Sequence, residues 1–184
     1  QVDAGLQYNG ASALSFIGAQ HLALTACVGV ATDNTGLFST FIATPDANGA
    51  FTLAAPASPA TGYTRVTVGL AYTPQLQTLP IDTGEPTIQG KFKKIPYVTV
   101  RVNQALGLQI GSDLDSTNLV DMEDLIVGNV GKDSNEVVTD LVSADALQTV
   151  DPAWTIPGQY AIQQSLPYPC SILGVIPAIE LEGK

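Results

Sequence analysis

The chain holds one histidine, His21, in Gln20-His21-Leu22. A single imidazole excludes any multi-histidine metal site. It leaves one candidate base for a Ser-His-Asp or Cys-His arrangement, and no nucleophile elbow accompanies it. Beside an apolar run, His21 reads as a structural residue. Asp113, Asp115, Thr117, the Leu119 carbonyl, Asp121 and Asp124 match the ligand spacing of an EF-hand calcium loop. Against that reading, Asn118 stands in place of the turn glycine, Asp124 is shorter than the bidentate glutamate, and Gly107 to Gly111 is not a helix. The alternative is a solvated acidic loop. Paired carboxylates also serve glycoside hydrolysis, but here they are packed into one polar segment, and with Trp154 as the only tryptophan a sugar-stacking platform is thin. There is no GxGxxG fingerprint and no Walker loop. No residue is therefore assigned a catalytic, metal-binding or cofactor-binding role.

Four of the seven basic residues, Lys91, Lys93, Lys94 and Arg101, lie close together. On a strand Lys91 and Lys93 share one face and Lys94 takes the other. They form either a patch for an acidic neighbour or the charges that protect a sheet edge from stray pairing. A basic and an acidic segment in one chain also suit a ring in which each subunit presents one to the next. Cys27 and Cys170 are too sparse for a disulfide framework and read as reduced thiols, with a bridge as the alternative.

The elements that must position these groups are strands. Thr64 to Tyr72 alternates, with Val66, Val68 and Leu70 on one face and Arg65 and Thr67 on the other. Tyr97 to Val102 repeats this, with Val98, Val100 and Val102 opposed to Thr99 and Arg101. Apolar runs at Leu22 to Ala31, Leu37 to Thr44 and Ser171 to Ile176 suit strands buried on both faces. Shorter candidates are Val2 to Tyr8, Ala50 to Leu53, Val137 to Val142 and Gln159 to Ile162. Asp33-Asn34-Thr35-Gly36 and Asn48-Gly49 are hairpin signals joining adjacent antiparallel strands. From Asp113 to Asp151 ten acids face a single Lys132. Within that stretch Leu119, Met122, Glu123 and Ile126 have helical spacing behind an Asn118 cap, predicting one short helix, with a long surface loop as the alternative.

The chain has 184 residues, 45% apolar and 13% charged, enough for a packed body. Many short strands with 17 Gly and 12 Pro predict an all-β antiparallel sandwich or barrel. A division near Tyr72 to Pro74 gives a first β unit over 1–72 and a second sheet unit over 73–184, with the acidic loop at about 112–151. A net charge of −10 excludes a general nucleic-acid binder. No apolar run is long enough for a membrane-spanning helix and no basic-then-apolar leader opens the chain. A start at Gln1 suggests a fragment or processed product.

The second half carries specific wording. Val68-Gly69-Leu70-Ala71-Tyr72-Thr73-Pro74-Gln75-Leu76-Gln77-Thr78-Leu79-Pro80 is followed by Ile88-Gln89-Gly90-Lys91-Phe92-Lys93-Lys94-Ile95, by Val98-Thr99-Val100-Arg101 and by Leu106-Gly107-Leu108-Gln109-Ile110-Gly111. This resembles the C-terminal region of bacteriophage tail nozzle or tail tubular proteins, the packaged-DNA stabilisation proteins. The ending around Pro167, Pro169 and Pro177 is similar to that family's close. The opening with Asp3, Gly5 and Tyr8 resembles its start, and His21-Leu22 a further short motif. Ile95 departs from it where a second basic residue is usual, Ala23-Leu24 replaces Glu-Gly, and the acidic stretch has no counterpart. The motif residues are Gly, Pro and apolar types, which report a fold more than a site.

The resemblance implies a non-catalytic structural part of a virion tail, present in the host cytoplasm during assembly. It implies a ring of copies, hexameric in the intact virion, around the DNA exit channel, beside adaptor and fibre proteins. DNA passes without being specifically bound, and an acidic wall would avoid holding its phosphates. The rival expectation is a secreted or surface sandwich module for adhesion or glycan binding, with calcium dependence or a Cys27–Cys170 bridge. An enzyme has the least support.

Overall fold

Alternation along Tyr63–Ala71 and Tyr97–Asn103 becomes two strands, each central to its own sheet. The computed structural model describes residues 2–82, 84, 87–126, 128, 140–150 and 153–182. It is all-β, with 46% of residues in strands, 4% helical and several antiparallel sheets. No helix among the described residues is long and apolar enough to cross a membrane. The chain divides into two units: Gln1–Tyr72 with Leu166–Tyr168, and Thr73–Ser165 with Pro169–Lys184.

The first unit contains β1 (Val2–Ala13), β2 (Ser15–Phe16), β3 (Cys27–Asp33), β4 (Phe38–Ala43), β5 (Phe51–Thr52) and β6 (Tyr63–Ala71). One sheet runs β1-β6-β3-β4, and β2 pairs separately with β5. Register sets Leu6 against Val68 and Tyr8 against Val66, and Gly29 lies between Val68 and Phe41. The face so formed is closed by an aromatic chain: Tyr8 meets Phe16 edge-on at 5.1 Å, Phe16 meets Phe51 at 5.4 Å, and Phe51 stacks on Phe41 at 6.2 Å.

The turn at Asp33 joins β3 to β4 because its carboxylate accepts the amides of Thr35 (2.7 Å) and Leu37 (3.0 Å) and the Thr35 hydroxyl (2.7 Å). The expected hairpin at Asn48-Gly49 needs correction. The turn is there, with Gly49 at φ 75° and the Asp46 carboxylate accepting the Asn48 and Ala50 amides. Yet β4 and β5, which flank it, belong to different sheets. The run from Leu22 is also corrected: Gln20–Leu22 is a 3-10 turn and the strand begins only at Cys27.

The second unit contains β7 (Gln75–Gln77), β8 (Lys93–Lys94), β9 (Tyr97–Asn103), β10 (Gln109–Gly111), β11 (Val120–Asp121), β12 (Asp145–Thr149), β13 (Ala161–Gln163), β14 (Ser171–Pro177) and β15 (Glu180–Leu181). Its sheets run β11-β10-β13-β7, β12-β9-β14 and β15-β8. Val98, Val100 and Val102 of β9 share one core with Ile110 of β10 and Ile162 of β13, so two sheets face each other as in a sandwich.

Three expectations fail here for physical reasons. The helix capped by Asn118 is a three-residue 3-10 turn, Glu123–Leu125, because Asn118 donates its side-chain amide to Asp113 and Val120–Asp121 is drawn into pairing with β10. The stretch 112–151 is not all solvated loop: Met122 and Leu125 are fully buried and β12 is a sheet strand. Lys132 and residues 137–139 of the Val137 to Val142 candidate lie outside the described residues, while Val142 bridges Ala105. Finally, β4 and β14, expected to be buried on both faces, are edge strands that leave Ile42 79% and Leu173 66% exposed. An edge strand has one neighbour, so apolar content does not by itself secure a cover.

Candidate functional site

The residues that carry the family resemblance do not converge on one catalytic pocket. They sit at backbone positions that fix shape. The opening segment and the Val68–Tyr72 segment, far apart in sequence, are paired strands: Asp3 lies opposite Leu70 and Leu6 opposite Val68, with a bulge between them. At that bulge Ala4 has φ 49°, a left-handed conformation costly for an L side chain. Two groups hold it there. The Asp3 carboxylate accepts the Ala4 amide at 2.8 Å, and His21 Nε2 donates to the Ala4 carbonyl at 2.9 Å. Gly69 is the seat, since a Cβ there would stand 2.5 Å from the Asp3 carbonyl oxygen and 2.9 Å from Val2 Cβ. Gly5 approaches Val2 Cγ2, to 3.0 Å for an added Cβ. The Tyr8 hydroxyl donates to the Ala11 carbonyl at 2.7 Å. The lone imidazole is thus a clamp on a strand bulge.

The remaining motif residues are scattered through turns and strand ends. Gln89 and Gly90 lie in the turn closed by the Lys91 amide on the Ile88 carbonyl, with Gly90 at φ 76°. Gly107, at φ 70°, donates its amide to the Leu125 carbonyl at 2.7 Å, and Gly111 lies against the Asn118 backbone with no room for a Cβ. These two glycines let the acidic stretch fold over the core. The Pro169 carbonyl accepts the Leu106 amide, Pro177 ends β14 opposite Val98, and Pro167 lies in the segment that groups with the first unit. Tyr72, Leu76 and Leu79 are surface residues, Leu79 being 84% exposed, and Pro80 follows them.

The four basic residues do not gather into one patch: Lys91 and Arg101 are exposed, Lys94 is half-buried and Lys93 is buried. Lys93 is only 1% exposed: its Nζ donates to the Ile156 carbonyl at 2.7 Å and, more weakly, to the Lys91 carbonyl at 3.4 Å. Lys94 pairs with Glu180 across β8 and β15 at 3.8 Å, and Arg101 grips Asp145 across β9 and β12 through two 2.7 Å bonds. That fork lifts the Arg101 guanidinium further and holds Asp145 below the ordinary carboxylate range. Of the four, Lys91 alone is without a resolved ion-pair or side-chain bond among the described residues.

The calcium spacing is engaged otherwise. Asp113 accepts the Asp115 amide and Asn118 Nδ2. Asp115 accepts the amide and hydroxyl of Thr117, bonds that lower its carboxyl, and Asp121 accepts from Gln109 Nε2. Among the described residues no three potential ligands group around a metal position. Cys27 and Cys170 are both free, and burial pushes both thiols up.

One concave feature escaped the sequence reading. Lys93 exchanges both backbone bonds with Thr155, at 2.7 and 2.8 Å, while β15 pairs on its other side and the Glu182 amide reaches the Phe92 carbonyl at 3.1 Å. The resulting ribbon is lined by Phe92, Trp154, Glu180, Leu181 and Glu182 around a groove of about 660 Å³. The only tryptophan of the chain was its one visible signal.

No protein-family model matches the chain, and no curated protein is significantly similar to it.

Proposed function

We propose that the chain is a non-catalytic structural domain of a bacteriophage virion tail, of the nozzle or tail-tube kind. In this reading it assembles with copies of itself as a ring, hexameric in the virion, around the DNA exit channel, and abuts adaptor and fibre proteins. It is made in the host cytoplasm and ends in the particle, with DNA passing but not specifically bound. The observation that carries the proposal is the bulge of β1: three separately placed motifs, the opening, His21 and Gly69, meet there to set a strand's path rather than to present a reacting group. The rival adhesion module with calcium or a Cys27–Cys170 bridge gains nothing from free thiols and from carboxylates tied to their own turns.

The test is mass spectrometry of gradient-purified virions followed by cryo-electron microscopy of their tails. Peptides of the chain and a ring density that accepts its two units are expected. Tailed particles lacking the chain would overturn the proposal, as would turnover of any substrate that disappears with one side-chain substitution.

A further inference from the structure

We propose that the groove beside β8 and β15 is a binding site for a neutral saccharide, with Trp154 and Phe92 as its stacking platform. This goes beyond the tail reading and does not depend on it. Strand alternation sets the geometry. Lys93 points inward, so Phe92 and Lys94 flank it on the outer face; Glu180 and Glu182 stand opposite Lys94 and Phe92, Trp154 precedes the bridged Thr155, and Phe92, Trp154, Glu180, Leu181 and Glu182 together line the groove. Phe92 and Trp154 are 43% and 45% exposed and belong to neither hydrophobic core. At about 660 Å³ the groove falls within the size range of small-ligand sites.

The platform is anchored from below. A lysine taken out of water is expensive unless its charge is well satisfied. Here Lys93 Nζ is bonded to the Ile156 carbonyl, and its stem lies under Gly158, where an added Cβ would stand 2.7 Å from Lys93 Cδ. Together with the paired backbones of Lys93 and Thr155, this ties the loop that presents Trp154 to β8. Aromatic faces held in place lose little entropy on binding.

The chemistry selects the ligand class. The C–H faces of a pyranose ring match the exposed Phe92 and Trp154 rings, and its hydroxyls match the carboxylate acceptors of Glu180 and Glu182. Glu180 and Glu182 repel a polyanion. A wholly apolar ligand would strip water from both carboxylates without replacing their hydrogen bonds. Glu180 is already engaged by Lys94, which leaves a basic peptide Glu182 alone of the two carboxylates.

The experiment is calorimetric titration of the whole chain with maltohexaose, cellohexaose and xylohexaose, with tetralysine as the cationic comparison and Trp154 emission as a second signal. Saturable binding of at least one saccharide is expected, with Kd near or below about 1 mM. Trp154→Ala and Phe92→Ala should each weaken it by about 10-fold, while Tyr97→Ala on another sheet leaves it unchanged. Lys93→Met should keep the native circular dichroism yet weaken binding by loosening the loop. The proposal fails if none of the three saccharides binds, if tetralysine binds in their place, or if affinity survives Trp154→Ala in a folded chain.

Discussion

The residues up to Tyr72 and those beyond it use the same antiparallel strands but treat charge differently. The first 72 residues contain only Asp3, Asp33, Asp46 and Arg65 as charged side chains, so nearly all of the net −10 lies further along. All three of those aspartates accept backbone amides, at Ala4, at Thr35 and Leu37, and at Asn48 and Ala50. In the second unit Asp82, Asp113 and Asp115 do the same, while Asp145 and Glu180 engage cations and Lys93 is buried on carbonyls. Much of the acidity is therefore turn-making: a short carboxylate two residues ahead of an amide satisfies a backbone donor that a loop would otherwise leave to water. A field directed at DNA is not needed to explain it.

That contrast can be broken most forcefully at the cores. Phe51→Ala removes the middle of the aromatic chain in the first unit and should cost about 3–5 kcal/mol. Trp154 emission reports only the second unit, so the loss should appear in far-ultraviolet circular dichroism while the Trp154 transition stays in place. A parallel shift of both signals would show the units to unfold together. Next in size is Asp33→Ala, at about 1–3 kcal/mol.

Burial opposes ionisation of Asp33, but bonds from the Thr35 hydroxyl and from the Thr35, Leu37 and Gly36 amides outweigh it and hold the carboxyl below its ordinary value. The stability this contributes is fully present above the unfolded pKa of about 3.9 and is lost as pH falls through the lower folded value. Acid titration of the variant should therefore show a shallower decline than the parent below about pH 4.

Ala4→Gly should move stability the other way, raising it by about 0.5–1 kcal/mol by releasing the left-handed strain against the entropy of glycine. Gln104→Gly, at φ 50° in the second unit, is its counterpart. A loss at Ala4 in thermal melts would mean the bulge is not strained. Arg101→Gln should have the smallest effect, because the pair with Asp145 lies at the surface. Any shift in melting temperature should vanish near 1 M salt, where the screening length is about 3 Å.

What the sequence made legible was local. The alternation in Val66–Val68 and Val98–Val102 located the two central strands and their inward faces, and Asp33-Asn34-Thr35-Gly36 located a turn whose chemistry lies within four residues. What it hid was partnership. Lys91 and Lys93 were placed on one strand face, but Lys91 lies exposed in the turn before β8 and only Lys93 is turned inward; nothing local announces that, because lysine is seldom buried. The runs in β4 and β14 announced apolar strands without revealing that each has one neighbour. Trp154 stood out only as a solitary tryptophan, and the groove needed the pairing of Lys93 with Thr155, set by residues sixty positions apart. The helix expected near Asn118 failed because carboxylate turns at Asp113 and Asp115 compete locally with helical bonding.

Leu166–Tyr168 group with the first unit although the chain on either side of them belongs to the second. The first unit is consequently discontinuous in sequence, and a truncation after Tyr72 would discard a piece of it, including the buried Tyr168 ring. Anyone dissecting the gene should graft that tripeptide back or keep the polypeptide whole, and should not read misfolding of a clean N-terminal cut as evidence that those seventy-odd residues lack a fold.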